Sequence, residues 1–63
     1  MTPESFRNWL VAMQATGRAT SDAHCGRLLG ITPTSILNMK RIGCDRRTAL
    51  ACAALLAGIG PYA

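Results

Sequence analysis

Arg27-Leu28-Leu29-Gly30-Ile31-Thr32-Pro33 is the stretch on which the fold turns. Leu28 and Leu29 close one helical pattern, and Thr32-Pro33 opens the next. The threonine offers a hydroxyl that accepts a bond from a free N–H of the first turn. The proline has a fixed φ and lacks the N–H that would be unsatisfied there. Between them stands Gly30, which takes positive φ without a steric penalty. About three residues for the connection force the two helices to meet at a sharp angle. The amino end of the second helix then projects while the first braces it.

Working outward, the bracing helix starts at Ser21-Asp22, with Ser21 as N-cap and Asp22 complementing the helix dipole. Cys25, Leu28 and Leu29 form its expected apolar stripe. Beyond the turn, Ile36 and Met39 are one helical turn apart and are expected to face inward, and Gly43 ends the segment. Further out, Thr2-Pro3-Glu4 repeats the hydroxyl–proline start. Phe6, Trp9, Leu10 and Met13 follow at helical spacing, and Gly17 is the stop. Asp45 is the expected N-cap of a last helix over about residues 45–58, terminated by Gly58, Gly60 and Pro61. No stretch alternates apolar and polar residues as a strand would. The expected fold class is all-α.

A chain of 63 residues allows one domain, 1–63. A domain of that size buries only about 60% of its unfolded surface, so stability from a partner chain is expected. Cys25, Cys44 and Cys52 are odd in number and lack framework spacing, and residues 1–7 show no basic-then-apolar leader pattern. A reducing, cytoplasmic setting is expected. The longest apolar stretch, residues 49–60, is too short to span a bilayer. The net charge of +4 is unevenly placed. Arg7 and Arg18 balance Glu4 and Asp22, whereas Arg27, Lys40, Arg41, Arg46 and Arg47 face only Asp45. A local cationic excess of this kind attracts a polyanion.

The run from Ser21 to Lys40 resembles the helix-turn-helix of Cro- and lambda-repressor-like regulators. The features that carry the resemblance are Leu28-Leu29-Gly30-Ile31, the hydroxyl cap Thr32, the branched Ile36 and the apolar Met39. The likeness extends loosely over the whole chain, and its size is similar to that of anti-CRISPR-associated regulators. Two positions depart from the pattern. Gly26 stands where the family favours alanine, which weakens the helix by roughly 0.5–1 kcal/mol relative to alanine. Asp22 stands where the family often has glutamine; it repels phosphate, so it is read as a helix-end charge.

The resemblance implies a compact domain of four to five helices that binds double-stranded DNA through the major groove, with the segment from Pro33 as recognition helix. With Ile36 and Met39 inward, base contacts are expected from Thr34, Leu37, Asn38 and Arg41. Asn38 suits the N7 acceptor and N6 donor of adenine, and Leu37 suits a thymine methyl. Phosphate contacts are expected from Thr32, Ser35, Lys40, Arg46, Arg47 and Arg18.

Residues 49–57 carry no polar side chain, and Leu50, Leu55 and Leu56 point in widely separated directions. A helix apolar all round is normally buried all round. Ala49, Cys52, Leu56 and Ile59 are therefore expected to close the domain, with Leu55 at the edge.

The opposite stripe, Leu50, Ala53, Ala54 and Ala57, is expected to meet a symmetry mate, with Tyr62 folding over the seam. Two recognition helices about 34 Å apart would read a palindromic operator. Repression by occupancy, including of the protein's own operon, is the economical expectation, with no cofactor, metal or small-molecule ligand.

Other constellations carry less. His24, Cys25, Cys44 and Cys52 lack the paired spacing of structural zinc, and cysteines on apolar stripes act as small hydrophobes. The chain has 3 carboxylates and 1 histidine, and no nucleophile with an evident base, so an enzyme is not expected. Phe6 and Trp9 sit at core spacing, which disfavours base stacking. A membrane-surface role is disfavoured because the charges flank the apolar helix and do not line one of its faces. The alternative from another class is a protein-interaction module, an antitoxin or inhibitor, that uses the same fold to bind a protein partner.

Overall fold

A side-chain oxygen starts each helix in the computed structural model, which describes residues 1–60. Thr2, Ser21, Thr32 and Asp45 are the N-caps of α1 (Pro3–Ala15), α2 (Asp22–Leu29), α3 (Pro33–Ile42) and α4 (Arg46–Leu56). They accept from the backbone N–H groups of Ser5, His24, Ser35 and Thr48 at 3.1, 3.2, 3.2 and 2.8 Å. Each such bond satisfies a donor that the helix itself leaves free and is worth about 1 kcal/mol. Pro3 and Pro33 occupy the first helical positions, as their fixed φ favours.

The helices form a compact all-α domain of four helices, with no β-strand among the described residues. Helix α1 packs on the other three, and α2 packs on α3 and α4. The core is Phe6, Trp9, Leu10, Met13, Ala19, Cys25, Ile36 and Cys52, with Leu29, Ile31, Met39, Cys44 and Leu55 packed against it. Phe6 and Trp9 meet with ring centroids 5.6 Å apart. The indole N–H of Trp9 donates to the Cys52 carbonyl at 2.9 Å, so the one polar atom of that ring is satisfied and α4 is tied to α1.

Three apolar positions differ from the sequence expectation. Leu28 is 42% exposed, Leu56 36% and Ile59 61%, whereas Leu55 packs on the core. The reason is rotational. Cys52 faces inward, where Trp9 takes its carbonyl, and Leu55 lies three residues further on the same face. Leu56 is turned by about 100° from Leu55 and so leaves the interior. In α2, Leu29 follows Cys25 by one turn and takes the inner place, leaving Leu28 outside. Ala49 is half-buried, as a position beside that inner face should be. Pro61 and Tyr62 lie outside the described residues, so the expected helix stop at the first and the seam contact of the second stay there too.

Burial of the two core cysteines disfavours their thiolates. It pushes the Cys25 thiol up and the Cys52 thiol up to about 12. His24 accepts a bond from the Thr20 N–H at its Nδ1, at 3.0 Å, a local contact that places its ring against the turn before α2. No group of three or more His, Cys, Asp or Glu side chains is close enough to hold a metal among the described residues. No helix there is long and apolar enough to cross a membrane.

Candidate nucleic-acid interface

The corner between α2 and α3 sets the direction of α3. Gly30 caps α2 at φ +75°, and its N–H and that of Ile31 return to the carbonyls of Arg27 and Gly26 at 3.1 and 2.9 Å. Those two bonds satisfy the last carbonyls of α2 and turn the chain sharply. Ile31 then tucks its side chain against the core, and Thr32 begins α3. Gly26 sits where α2 and α3 touch. A Cβ there would lie 3.2 Å from Ile36 Cγ1 and 3.4 Å from the Ile31 carbonyl oxygen. The glycine departure therefore corresponds to a tight approach of Ile36 against the bracing helix, closer than alanine usually tolerates.

With Ile36 buried and Met39 half-buried, the other side of α3 is open. Thr34, Asn38 and Arg41 are exposed and Leu37 is 61% exposed, so the structure brings these four residues onto the outward side of one helix. Thr32 is also exposed, while Ser35 is half-buried and its hydroxyl lies 3.1 Å from that of Thr32. Both hydroxyls are thus already engaged in starting the helix. Asn38 also lines a shallow groove of about 310 Å³ with Ser35, Met39, Ile42, Gly43, Cys44, Asp45 and Thr48, which separates α3 from the start of α4.

The cations expected at phosphate are in three different situations. Arg46 and Arg47 are exposed on the first turn of α4. Cations there oppose the positive end of the helix dipole, so helix stability does not explain them. Asp45 partly offsets them; bonds from Thr48 hold its carboxyl below the usual value, with Arg47 contributing. Lys40 is not free. Its Nζ lies 2.6 Å from Asp22 Oδ2, with the two side chains 34% and 38% exposed. A pair that exposed is worth no more than about 1 kcal/mol. The bond to Lys40 holds the Asp22 carboxyl below its ordinary value, and Gln14 Nε2 donates to its other oxygen at 2.7 Å. Asp22 is therefore both the helix-end charge expected from sequence and a tie between α1 and α3.

Arg18 takes a third position. Its guanidinium lies against Gly58 at the carboxyl end of α4, where a Cβ would come within 2.7 Å of Nη1. It shares a groove there with Met13, Leu28, Leu55, Ile59 and Gly60, not with the side chains of α3. The negative end of the α4 dipole is a favourable place for it.

One cation escaped the sequence reading. Arg7 Nη1 donates to the carbonyl of Lys40, one of the last carbonyls of α3 that no helical N–H reaches. This puts an α1 arginine at the carboxyl end of α3. Nothing in the sequence signals a contact across 33 positions.

The outer face of α4 is apolar. Leu50 is 62% exposed, Ala53 and Ala57 are exposed, and Ala54 is half-buried. Beside it, Leu28, Leu29, Ala51, Ala54, Leu55, Ile59 and Gly60 line a groove of about 230 Å³.

No family model, no curated protein and no solved structure matches the chain. The fold therefore establishes a class only, a four-helix all-α domain, and the arrangement of side chains on α3 and α4 has to supply the rest.

Proposed function

We propose that the protein is a sequence-specific double-stranded DNA-binding repressor of the lambda-repressor-like helix-turn-helix kind, acting as a homodimer on a palindromic operator. One observation carries the reading. The tight corner at Gly30 leaves α3 uncovered on the side that bears Thr34, Leu37, Asn38 and Arg41. A helix of this exposure fits a major groove about 12 Å wide. Asn38 offers paired donor and acceptor to adenine, Arg41 a bidentate donor to guanine, and Leu37 an apolar contact for a thymine methyl. Arg46 and Arg47, with Thr32 at the start of α3, supply the backbone contacts that fix register. The excess charge of the chain, with Arg41, Arg46 and Arg47 exposed, supports the same reading.

The outer stripe of α4 supplies the dimer contact in this proposal. Leu50 is the large apolar side chain at its middle, and the alanines around it permit close helix approach. Leu50→Glu is expected to turn a dimer into a monomer in analytical ultracentrifugation and to weaken operator binding by more than about tenfold, since one half-site loses the support of the other. A dimer unchanged by Leu50→Glu would remove α4 from the interface.

The function is tested by selecting bound sequences from a random pool of duplexes. The expected result is an inverted repeat whose half-sites are about one helical turn apart. No enrichment, together with no gel shift at low salt, would end the reading. A second reading, a module that docks on a partner protein, is favoured by the apolar side chains that α3 also exposes, Leu37 at 61% and Ile42 at 76%. Salt separates the two, because phosphate contacts weaken steeply as salt rises and an apolar protein contact does not.

A further inference from the structure

We propose that Asp22 is a specificity-determining residue of this interface: by holding Lys40, it withholds one cation from backbone phosphate and lowers sequence-independent affinity for duplex. The inference rests on the DNA-binding reading above and goes beyond it by naming how the surface is kept from binding any DNA it meets.

Lys40 lies in the last turn of α3, next to the exposed Arg41, and it would be a natural phosphate ligand. Its ammonium is instead 2.6 Å from Asp22 Oδ2 in the first turn of α2. Asp22 is held in place from the other side by Gln14 Nε2 at 2.7 Å. Both oxygens are thus occupied, by groups from two different helices. The pair closes a small hollow lined by Asp22, Ala23, Pro33, Ile36, Leu37 and Lys40. Leu37 and Pro33 belong to the open side of α3, so the carboxylate stands beside the surface that DNA would approach.

The effect on binding follows from counting cations. Sequence-independent affinity grows with the number of phosphates neutralised, because each releases condensed counterions. Biological selectivity is the ratio of specific to non-specific binding, and only base contacts raise it directly. A lysine tied to a carboxylate lowers the non-specific part, while Asn38 and Arg41 still meet bases. From the sequence alone, Lys40 is expected at phosphate and Asp22 serves as a helix-end charge. Their pairing links the two.

The test is fluorescence anisotropy with a short random-sequence duplex over a sodium chloride series, using the intact chain. Asp22→Asn keeps the shape and removes the charge. It is expected to bind about eightfold tighter near about 0.1 M salt, with a log–log salt slope steeper by about 0.9 per bound chain, the signature of one added phosphate contact. Lys40→Met alone is expected to change affinity less than about twofold, whereas Arg46→Ala, at an exposed residue assigned to phosphate, weakens it by about the full one-contact factor. In the Lys40→Met background, Asp22→Asn is expected to give no gain.

Three results overturn the proposal: no gain from Asp22→Asn, an equal gain without Lys40, or a loss from Lys40→Met as large as that from Arg46→Ala. The second of these would mean that Asp22 repels phosphate directly. If Asp22→Asn did not fold, Lys40→Met would decide alone. A wild-type chain with no affinity for duplex at low salt would take the functional reading down as well. Wild-type binding with an unresponsive Asp22→Asn would remove this inference only.

Discussion

The two ends of α3 are held in opposite ways. At the amino end, Gly30 has positive φ but open space, with nothing within 4 Å of where a Cβ would sit, and Thr32, Pro33 and Thr34 are exposed. Local chemistry alone fixes this end: one left-handed residue and one cap. At the carboxyl end, Gly43 is buried, and a Cβ on it would collide with the carbonyl oxygen of Met1. Met1 and Cys44 exchange two hydrogen bonds at 3.1 Å, Arg7 takes the Lys40 carbonyl, and Asp22 takes the Lys40 ammonium. Long-range contacts fix that end. The helix is anchored by its far end and left open at its near one.

That contrast can be broken by substitution, and the far end should break hardest. Gly43→Ala combines a positive-φ penalty with a clash against backbone, which cannot move aside as a side chain would. The expected loss is at least about 3 kcal/mol, or more than about 12 °C in Tm for a domain this small, measured by thermal circular dichroism. A loss under about 1 kcal/mol would mean that the carboxyl end is not pinned at all.

Next in size is Asn38→Ala, on the offered face. It is expected to lower specific operator affinity by about 1–3 kcal/mol and to leave melting within about 0.5 kcal/mol of wild type. Equal losses in binding and stability would show that Asn38 belongs to the packing and not to the readable surface.

Gly30→Ala sharpens the comparison from the near end. Only φ is at stake there, so a loss of about 1–2 kcal/mol in stability is expected, clearly below that of Gly43→Ala. Parity between the two glycines would erase the distinction between local and long-range anchoring.

The smallest effect is the pH dependence of the Asp22–Lys40 tie. The folded Asp22 carboxyl titrates below its ordinary value of 3.8, so it binds its proton less readily folded than unfolded. Its contribution is present above that ordinary value and is lost as pH falls through the lower folded one. Wild type should exceed Asp22→Asn by no more than about 1 kcal/mol at neutral pH, and the gap should close in acid. A gap that persisted in strong acid would assign the difference to something other than charge.

Much of this was legible in the residues. Thr2, Ser21, Thr32 and Asp45 announced all four helix starts, because a cap acts between residues three apart and needs nothing from the rest of the chain. Phe6, Trp9, Leu10 and Met13 were legible as core for a similar reason: a wide apolar stripe on one long helix has one side to bury. Residues 49–57 were not, since an apolar surface all round offers no preferred rotation; Leu56 and Leu55 exchanged their expected places. For the candidate site, the exposure of Thr34, Leu37, Asn38 and Arg41 followed once Ile36 was inward. The states of the cations did not follow. Lys40 found Asp22, Arg18 found the end of α4, and Arg7 found α3.

By itself, then, the sequence determined the all-α class, where each helix begins, and the glycine corner ahead of α3. These are short-range matters of φ, hydroxyl caps and missing N–H groups. Tertiary structure alone decided how α4 is rotated, which leucines remain outside, and which cations stay unpaired. Those outcomes depend on where distant helices come to rest, and a flexible charged side chain binds whichever partner the packing brings within reach.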